Sequence, residues 1–277
     1  MDSQSEPPPS DPSVDTSEFF FEGDGLSALL VHGLTGTPYE MRYLGERMAA
    51  AGIRVRGVRL AGHAGAPEEL GQTTHENWYE SVVQGFEELR RYGQPNVVIG
   101  LSAGAVLVAR LAAEQREAVS GLVMLSPAFF LPVATTAALK GVQLLGPHAR
   151  RIYLYGETGS DIHDHSARLV HPSSRLMPLA APIELLKLSA LVRQELPKVL
   201  QPTLIIHSAL DHVCPCDRNV KYLMEHLGSR QKRSLILKES FHVITVDSEK
   251  QRVADEVIAF AMQFRTQIPR RSAAGGY

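Results

Sequence analysis

Short runs rich in Val, Ile and Leu recur along this chain, and each is followed by a longer stretch whose apolar residues return with a helical period. A strand inside a parallel sheet is buried on both faces, so it reads as a continuous apolar run, and the crossover to the next parallel strand needs a helix. The alternation therefore predicts an α/β fold, a mostly parallel central sheet flanked by helices with right-handed crossovers. Strands are expected at 26–31, with a preceding candidate at 19–21, then at 53–58, 96–101, 121–125, 203–207 and 234–238. Thr37 as N-cap, Pro38 at the first helical position and Glu40 three residues after the cap read as a capping box, opening a helix that runs to about Ala51. Thr73 and Glu76 stand in the same relation and open a helix that closes near Gly93. Further helices are expected over 103–118, 215–227 and 248–264.

The alternation stops between about 127 and 197, where Pro, His, Gly and scattered apolar residues replace it. This stretch reads as a small cap inserted before the last strands, so 18–126 and 198–267 would form the core. Residues 1–17 hold hardly an apolar group to offset the entropy of ordering and read as a disordered tail, and 268–277 as a flexible one.

Charge narrows the function. With 28 Lys+Arg against 30 Asp+Glu the formal charge is −2, and no long basic run supplies the footprint of a nucleic-acid binder. Cys214 and Cys216 are separated only by Pro215, a poor geometry for a disulfide. The opening MDSQSEPPPS is acidic and Pro-rich, unlike a secretory signal, and no run reaches the roughly 18 apolar residues of a membrane span. The expectation is a cytoplasmic protein, monomeric by preference, without nucleic acid or integral membrane association.

Gly100-Leu101-Ser102-Ala103-Gly104 is a G-x-S-x-G sequence at the end of the strand NVVIGL, leading straight into a helix. In a nucleophile elbow the serine occupies a strained strand-to-helix turn that lifts its hydroxyl above the sheet, and small flanking residues let the chain pass its neighbours. A serine hydroxyl is a weak nucleophile near neutral pH, so a base and an orienting acid must accompany it. In this kind of sheet they follow in the order acid, then histidine, at the carboxyl ends of strands. Asp211 in HSALDHV and His242 in KESFHVI occupy such places. Asp217 is a rival acid, but it falls inside the helix begun by Pro215, where it complements the positive helix end. His63, His207 and His212 are rival bases, yet only His242 follows the acid, past a strand and before the last helix. Acyl transfer also needs donors aimed at the developing oxyanion. Ala103 N–H, after the nucleophile, and Leu34 N–H, in the loop His32-Gly33-Leu34-Thr35-Gly36, are the candidates.

With HGLTGTP, RLAGHAG, HENWYESV ahead of GLSAGA, ALDHVCP and ESFHVITVDSE, the chain resembles the α/β-hydrolase superfamily over residues 20–266, most closely its bacterial carboxylesterase and monoacylglycerol lipase branch. The resemblance implies Ser102 as nucleophile, Asp211 as acid, His242 as base, Leu34 with Ala103 as oxyanion hole, and a cap over the site. Ala105 departs from the glycine such enzymes often carry there, but it too is small. The expected activity is hydrolysis of short- to medium-chain carboxylic esters, monoacylglycerols among them, through an acyl-serine and without cofactor or metal. A thioesterase or acyltransferase on the same triad, and a hydrolase-fold binding protein without turnover, are the alternatives.

Within the cap, Phe129, Phe130, Leu131, Val133, Leu144, Leu145, Tyr153 and Tyr155 are candidates to line an acyl pocket or to pack the cap onto the core, with Arg150 and Arg151 on its polar exterior. His163, Asp164, His165 and His171 cluster in sequence but lack the spacing of a strong metal site.

Overall fold

The computed structural model describes residues 14–144, 146, 152–155, 160–172, 174 and 176–265. Most of the 1–17 tail, the 268–277 tail, Leu145, Arg150 and Arg151 lie outside the described residues.

The strands are β1 (Phe19–Phe21), β2 (Ser27–Val31), β3 (Arg54–Val58), β4 (Asn96–Leu101), β5 (Gly121–Leu125), β6 (Tyr153–Tyr155), β7 (Leu176–Pro178), β8 (Thr203–Ser208) and β9 (Lys232–Leu237). The helices are α1 (Tyr39–Ala50), α2 (Pro67–Gln72), α3 (His75–Arg90), α4 (Ala103–Glu114), α5 (Val133–Gln143), α6 (His165–Val170), α7 (Ala180–Glu195), α8 (Cys216–His226) and α9 (Lys250–Ala261). Seven strands form the main sheet in the order β1-β3-β2-β4-β5-β8-β9, and only β1, at one edge, runs antiparallel. The parallel register sets Val31 opposite both Val58 and Gly100, Leu101 opposite Leu125, Leu125 opposite Ile206, and Ser208 opposite Leu237. The carboxyl ends of the six parallel strands thus lie on one rim, where α/β sheets place their ligands.

Successive side chains of a strand point to opposite faces, and the core divides accordingly. Leu29, Val31, Val98, Met124 and Ile205 pack on one side in the apolar layer shared with α3, α4 and α7. Leu30, Ile99, Leu101, Val123 and Ile206 pack on the other, with α1 and α9. Between β5 and β8 lie α5, the two-stranded β6–β7 ribbon, α6 and α7, and α7 contributes Leu185, Leu188 and Val192 to the first layer.

Both expected capping boxes differ from what the tertiary structure makes. Thr37 accepts the Tyr39 N–H at 3.3 Å, but Glu40 turns its carboxylate away, to the Gly33 N–H at 3.1 Å. At α3 the box is shifted by one residue: Thr74 is the N-cap and Asn77 Oδ1 accepts the Thr74 N–H at 3.0 Å. Glu76 is drawn instead to Arg110 of α4, at 2.9 Å. In each case a distant partner outcompetes the local bond, since a carboxylate gains more from a buried donor or a guanidinium than from one terminal N–H. α4 ends at Glu114 rather than near 118, and α9 begins at Lys250 rather than at 248.

Candidate active site

Ser102 sits between β4 and α4 with φ +55° and ψ −114°, a backbone conformation that costs an L-residue on the order of 1–3 kcal/mol. The flanking glycines are a packing necessity. A Cβ on Gly100 would lie 2.2 Å from the Gly104 carbonyl oxygen, and one on Gly104 would lie 2.4 Å from that of Val31. The Ser102 N–H donates to Leu125 O at 2.8 Å, which anchors the turn to the neighbouring strand.

Asp211 lies in the turn after β8 and His242 in the loop after β9, so both project over the rim that carries Ser102. His242 Nε2 is 2.9 Å from Ser102 Oγ, and its Nδ1 is 2.6 Å from Asp211 Oδ2. Because the carboxylate can only accept, Nδ1 carries the proton and Nε2 is left to accept from the serine hydroxyl. Asp211 Oδ1 accepts the N–H groups of Val213 and Cys214 at 2.8 and 2.7 Å. Burial alone would raise the Asp211 pKa, but His242 and these donors hold it below the usual carboxylate value. Burial likewise pushes His242 down, and the facing Asp211 charge outweighs it, so the imidazole ends above its ordinary value.

The rivals make other contacts. Asp217 sits in the first turn of α8. His207 is buried beside Asp211, with Nδ1 3.6 Å from Oδ2, and burial lowers its pKa to about 4. His212 bonds Asp161 at 2.8 Å. His63, lowered to about 3 by burial, packs edge-on against His32 and Trp78. Cys214 faces the same pocket, but burial raises its thiol pKa well above the usual value and leaves it a poor nucleophile.

The loop after β2 comes close to the serine: a Cβ on Gly33 would stand 3.2 Å from Ser102 Cβ, and Gly33 and Leu34 line the pocket with Ser102. Buried His32 staples this loop, its Nδ1 bonding Gly33 O at 2.8 Å and its Nε2 accepting the Leu60 N–H at 3.1 Å. Ala103 is the first residue of α4, where backbone N–H groups have no intrahelical acceptor and the helix end is positive.

Two carboxylates escaped the sequence reading. Asp247, fully buried, accepts the N–H groups of Phe241, His163, Asp164 and Ser248 at 2.7 to 2.9 Å, tying the His242 loop to the segment before α6. Asp161 of the same segment accepts the His242 N–H through both its carbonyl oxygen, at 3.1 Å, and Oδ2, at 3.2 Å. The only sequence signal for Asp247 was an acid closing the apolar run VITV, which reads as an ordinary helix start. Three of the four side chains weighed as metal ligands are engaged separately: Asp164 caps α6, His163 Nδ1 is 3.2 Å from Ser248 Oγ, and His171 Nε2 lies 3.3 Å from Glu40.

Ser102 and His242 floor a cavity of about 530 Å³, within the range of small-molecule sites. Leu131 and Tyr155 line it, as do Leu154, Met177, Leu185 and Val213, which the sequence reading did not single out. Phe129 is instead buried in the core, Phe130 packs against Tyr222, and Val133 and Leu144 are 73% and 88% exposed.

Known proteins share this architecture. The chain is 32% identical over 242 residues to the thermostable monoacylglycerol lipase of Bacillus sp. strain H-257, covering 87% of this chain and 92% of that protein. It is 25% identical over 252 residues to a carboxylesterase of Bacillus subtilis strain 168, covering 89% and 96%. A solved structure from the work on LipS and LipT, two metagenome-derived lipolytic enzymes, superposes with a TM-score of 0.82 at 30% identity, covering 90% of this chain and 98% of that one. The family model described as serine aminopeptidase, S33 (Hydrolase_4) matches residues 27–249. With that match across most of its length and with this sheet beneath the site, the chain belongs to the Hydrolase_4 family of the α/β-hydrolase superfamily.

Proposed function

We propose that this protein hydrolyses carboxylic esters through an acyl-serine formed on Ser102. The observation that carries the reading is the hydrogen-bonded chain Ser102–His242–Asp211, of which Ser102 and His242 line a largely apolar cavity. His242 Nε2 takes the hydroxyl proton as Ser102 Oγ attacks the ester carbonyl, and Asp211 holds the ring tautomer and stabilises the imidazolium. The N–H groups of Leu34 and Ala103 are the donors for the tetrahedral oxyanion, each worth about 2.7–4 kcal/mol by analogy. As the intermediate collapses, the alcohol leaves with the proton from Nε2, and water then repeats the sequence on the acyl-enzyme.

The apolar wall of Leu131, Leu154, Met177 and Leu185 suits a short- to medium-chain acyl group. Ser160, Asp161 and His212 give the same cavity a polar side, compatible with a hydroxylated alcohol such as that of a monoacylglycerol. The names of the two Bacillus relatives support the same class. We take residues 127–197 as the cap that forms the outer wall. The proposal includes a cytoplasmic monomer, which fractionation and size-exclusion chromatography check. Among the described residues no helix is long and apolar enough to cross a membrane.

The test is stoichiometric labelling by a fluorophosphonate, abolished in Ser102→Ala and His242→Ala, followed by rates on p-nitrophenyl esters of graded length, monoacylglycerols, acyl thioesters and aminoacyl anilides. Turnover confined to the esters is expected. Labelling without turnover of any ester would overturn the reading.

A further inference from the structure

The carboxylate of Glu40 is an unexpected occupant of the loop that leads from β2 into the site. It lies in the first turn of α1, yet it is buried, with a side chain only 6% exposed. The loop wraps it closely. Oε2 accepts the Gly33 N–H at 3.1 Å, and a Cβ on Gly36 would fall 2.2 Å from the same oxygen. The turn is closed by Gly36 N–H donating to Gly33 O at 3.2 Å, with Thr35 at φ +60°. On its other side the carboxylate meets His171, whose Nε2 is 3.3 Å from Oε1 and whose Nδ1 is 2.8 Å from Ser160 Oγ. His171 is itself 2% exposed and belongs to the segment inserted between β5 and β8.

A buried carboxylate is costly unless its oxygens are engaged. Burial here disfavours the charged form, but the His171 contact and the Gly33 bond outweigh it, and the Glu40 pKa is lowered. Gly33 O and the Leu34 N–H share one planar peptide, held through that oxygen by the Gly36 N–H at 3.2 Å and His32 Nδ1 at 2.8 Å. Two soft torsions at Gly33 join this plane to the one before it, and Glu40 Oε2 holds that preceding plane by the Gly33 N–H, so with both planes anchored the direction of the Leu34 N–H is set.

We propose that Glu40 is a positioning residue for the oxyanion donor: its carboxylate, backed by His171 of the insertion, pins the Gly33 N–H and thereby aims the Leu34 N–H at the developing oxyanion. The inference rests on the acyl-serine reading above. It makes the inserted segment a structural support of transition-state binding as well as a wall of the pocket.

Removing one oxyanion donor outright lowers kcat by about 10²–10³-fold, and misaiming it should lose part of that. Glu40→Met, which fills the space without an acceptor, and Glu40→Ala should each lower kcat about 10- to 100-fold with KM within about threefold. Their affinity for a trifluoromethyl ketone transition-state analogue should fall in parallel with kcat/KM. Glu40→Gln keeps an oxygen acceptor and should stay within about threefold of wild type, and His171→Ala should fall between. The midpoint of the acid limb of the pH profile should move only slightly, downward, and alike in the Gln, Met and Ala variants, because the Glu40 charge is the smallest of the influences that raise the His242 pKa. A purely structural contribution would lower the unfolding midpoint and leave analogue affinity unchanged below the transition. The proposal is overturned by kcat of folded Glu40→Met within twofold of wild type, or by equal impairment of the Gln and Met variants. Should either apolar variant fail to fold, His171→Ala decides, since analogue affinity equal to wild type would refute the latch. Fluorophosphonate labelling of wild type separates the two layers: no labelling at Ser102 sinks the acyl-serine reading, whereas labelling of Glu40→Met at the wild-type rate sinks only this inference.

Discussion

Asp211→Asn replaces one atom, and the surroundings of Asp211 dictate how the new amide must sit. Oδ1 accepts two backbone N–H groups, from Val213 at 2.8 Å and Cys214 at 2.7 Å, while Oδ2 faces His242 Nδ1 at 2.6 Å. An asparagine must keep its oxygen toward the two donors, because the reverse orientation would press an NH2 group against both. Its NH2 then meets Nδ1, which can only accept, and the ring proton moves to Nε2. The base is lost at the one nitrogen that lies 2.9 Å from Ser102 Oγ, with the packing unchanged. The triad template puts the loss from this wrong tautomer at about 10⁴ in kcat. At about 1.36 kcal/mol per decade this is roughly 5.4 kcal/mol of transition-state stabilisation. The cost in stability is confined to the charge-assisted part of one hydrogen bond, about 1–2 kcal/mol. The assay is kcat and KM on a p-nitrophenyl ester, with urea unfolding alongside. A folded variant that retains kcat within tenfold of wild type would refute the reasoning.

Activity should rise with pH along a limb set by His242, with its midpoint above the ordinary imidazole value of 6.5. The sign follows from the base: a raised pKa keeps the imidazolium, which cannot accept the serine proton, to higher pH, so rate is lost as pH falls through that value. A kcat/KM profile that is flat from about pH 5 to 8 would contradict this. Ser102→Gly should be more stable than Ser102→Ala by on the order of 1 kcal/mol, since both lack the hydroxyl but only alanine keeps a Cβ at φ +55°; equal urea midpoints would argue against strain at the elbow. Asp247→Ala strips an acceptor from four backbone N–H groups, each costing about 1–3 kcal/mol if left unpaired. A loss of at least ~3 kcal/mol in chemical unfolding, with a lower kcat from the loosened His242 loop, is the expected outcome, and a loss below ~1 kcal/mol would count against the clamp.

Much of the architecture was legible because it is local. A strand buried on both faces must be apolar throughout, so β2, β4, β5 and β8 announced themselves, and the order of strand and helix placed Ser102, Asp211 and His242 beyond strand ends on one rim. The G-x-S-x-G pattern was legible for a steric reason, since the backbone of Gly104 passes against that of Val31. Helix starts were read less well, because a local box competes with partners that only folding delivers, such as Arg110 for Glu76. The two-stranded ribbon was missed, since strands of three residues leave no periodicity to detect.

The linear order of residues thus determined by itself a parallel sheet, its elbow and the three groups above its rim, because each depends on neighbours within a few positions. Only the tertiary structure decided which carboxylates serve those groups. Asp161 and Asp247 behind His242, and His171 against Glu40, are set by contacts across about 80 to 130 residues of chain. An acidic side chain carries no mark in sequence that tells a solvated surface charge from one buried among backbone donors, and that difference is made only when distant segments pack together.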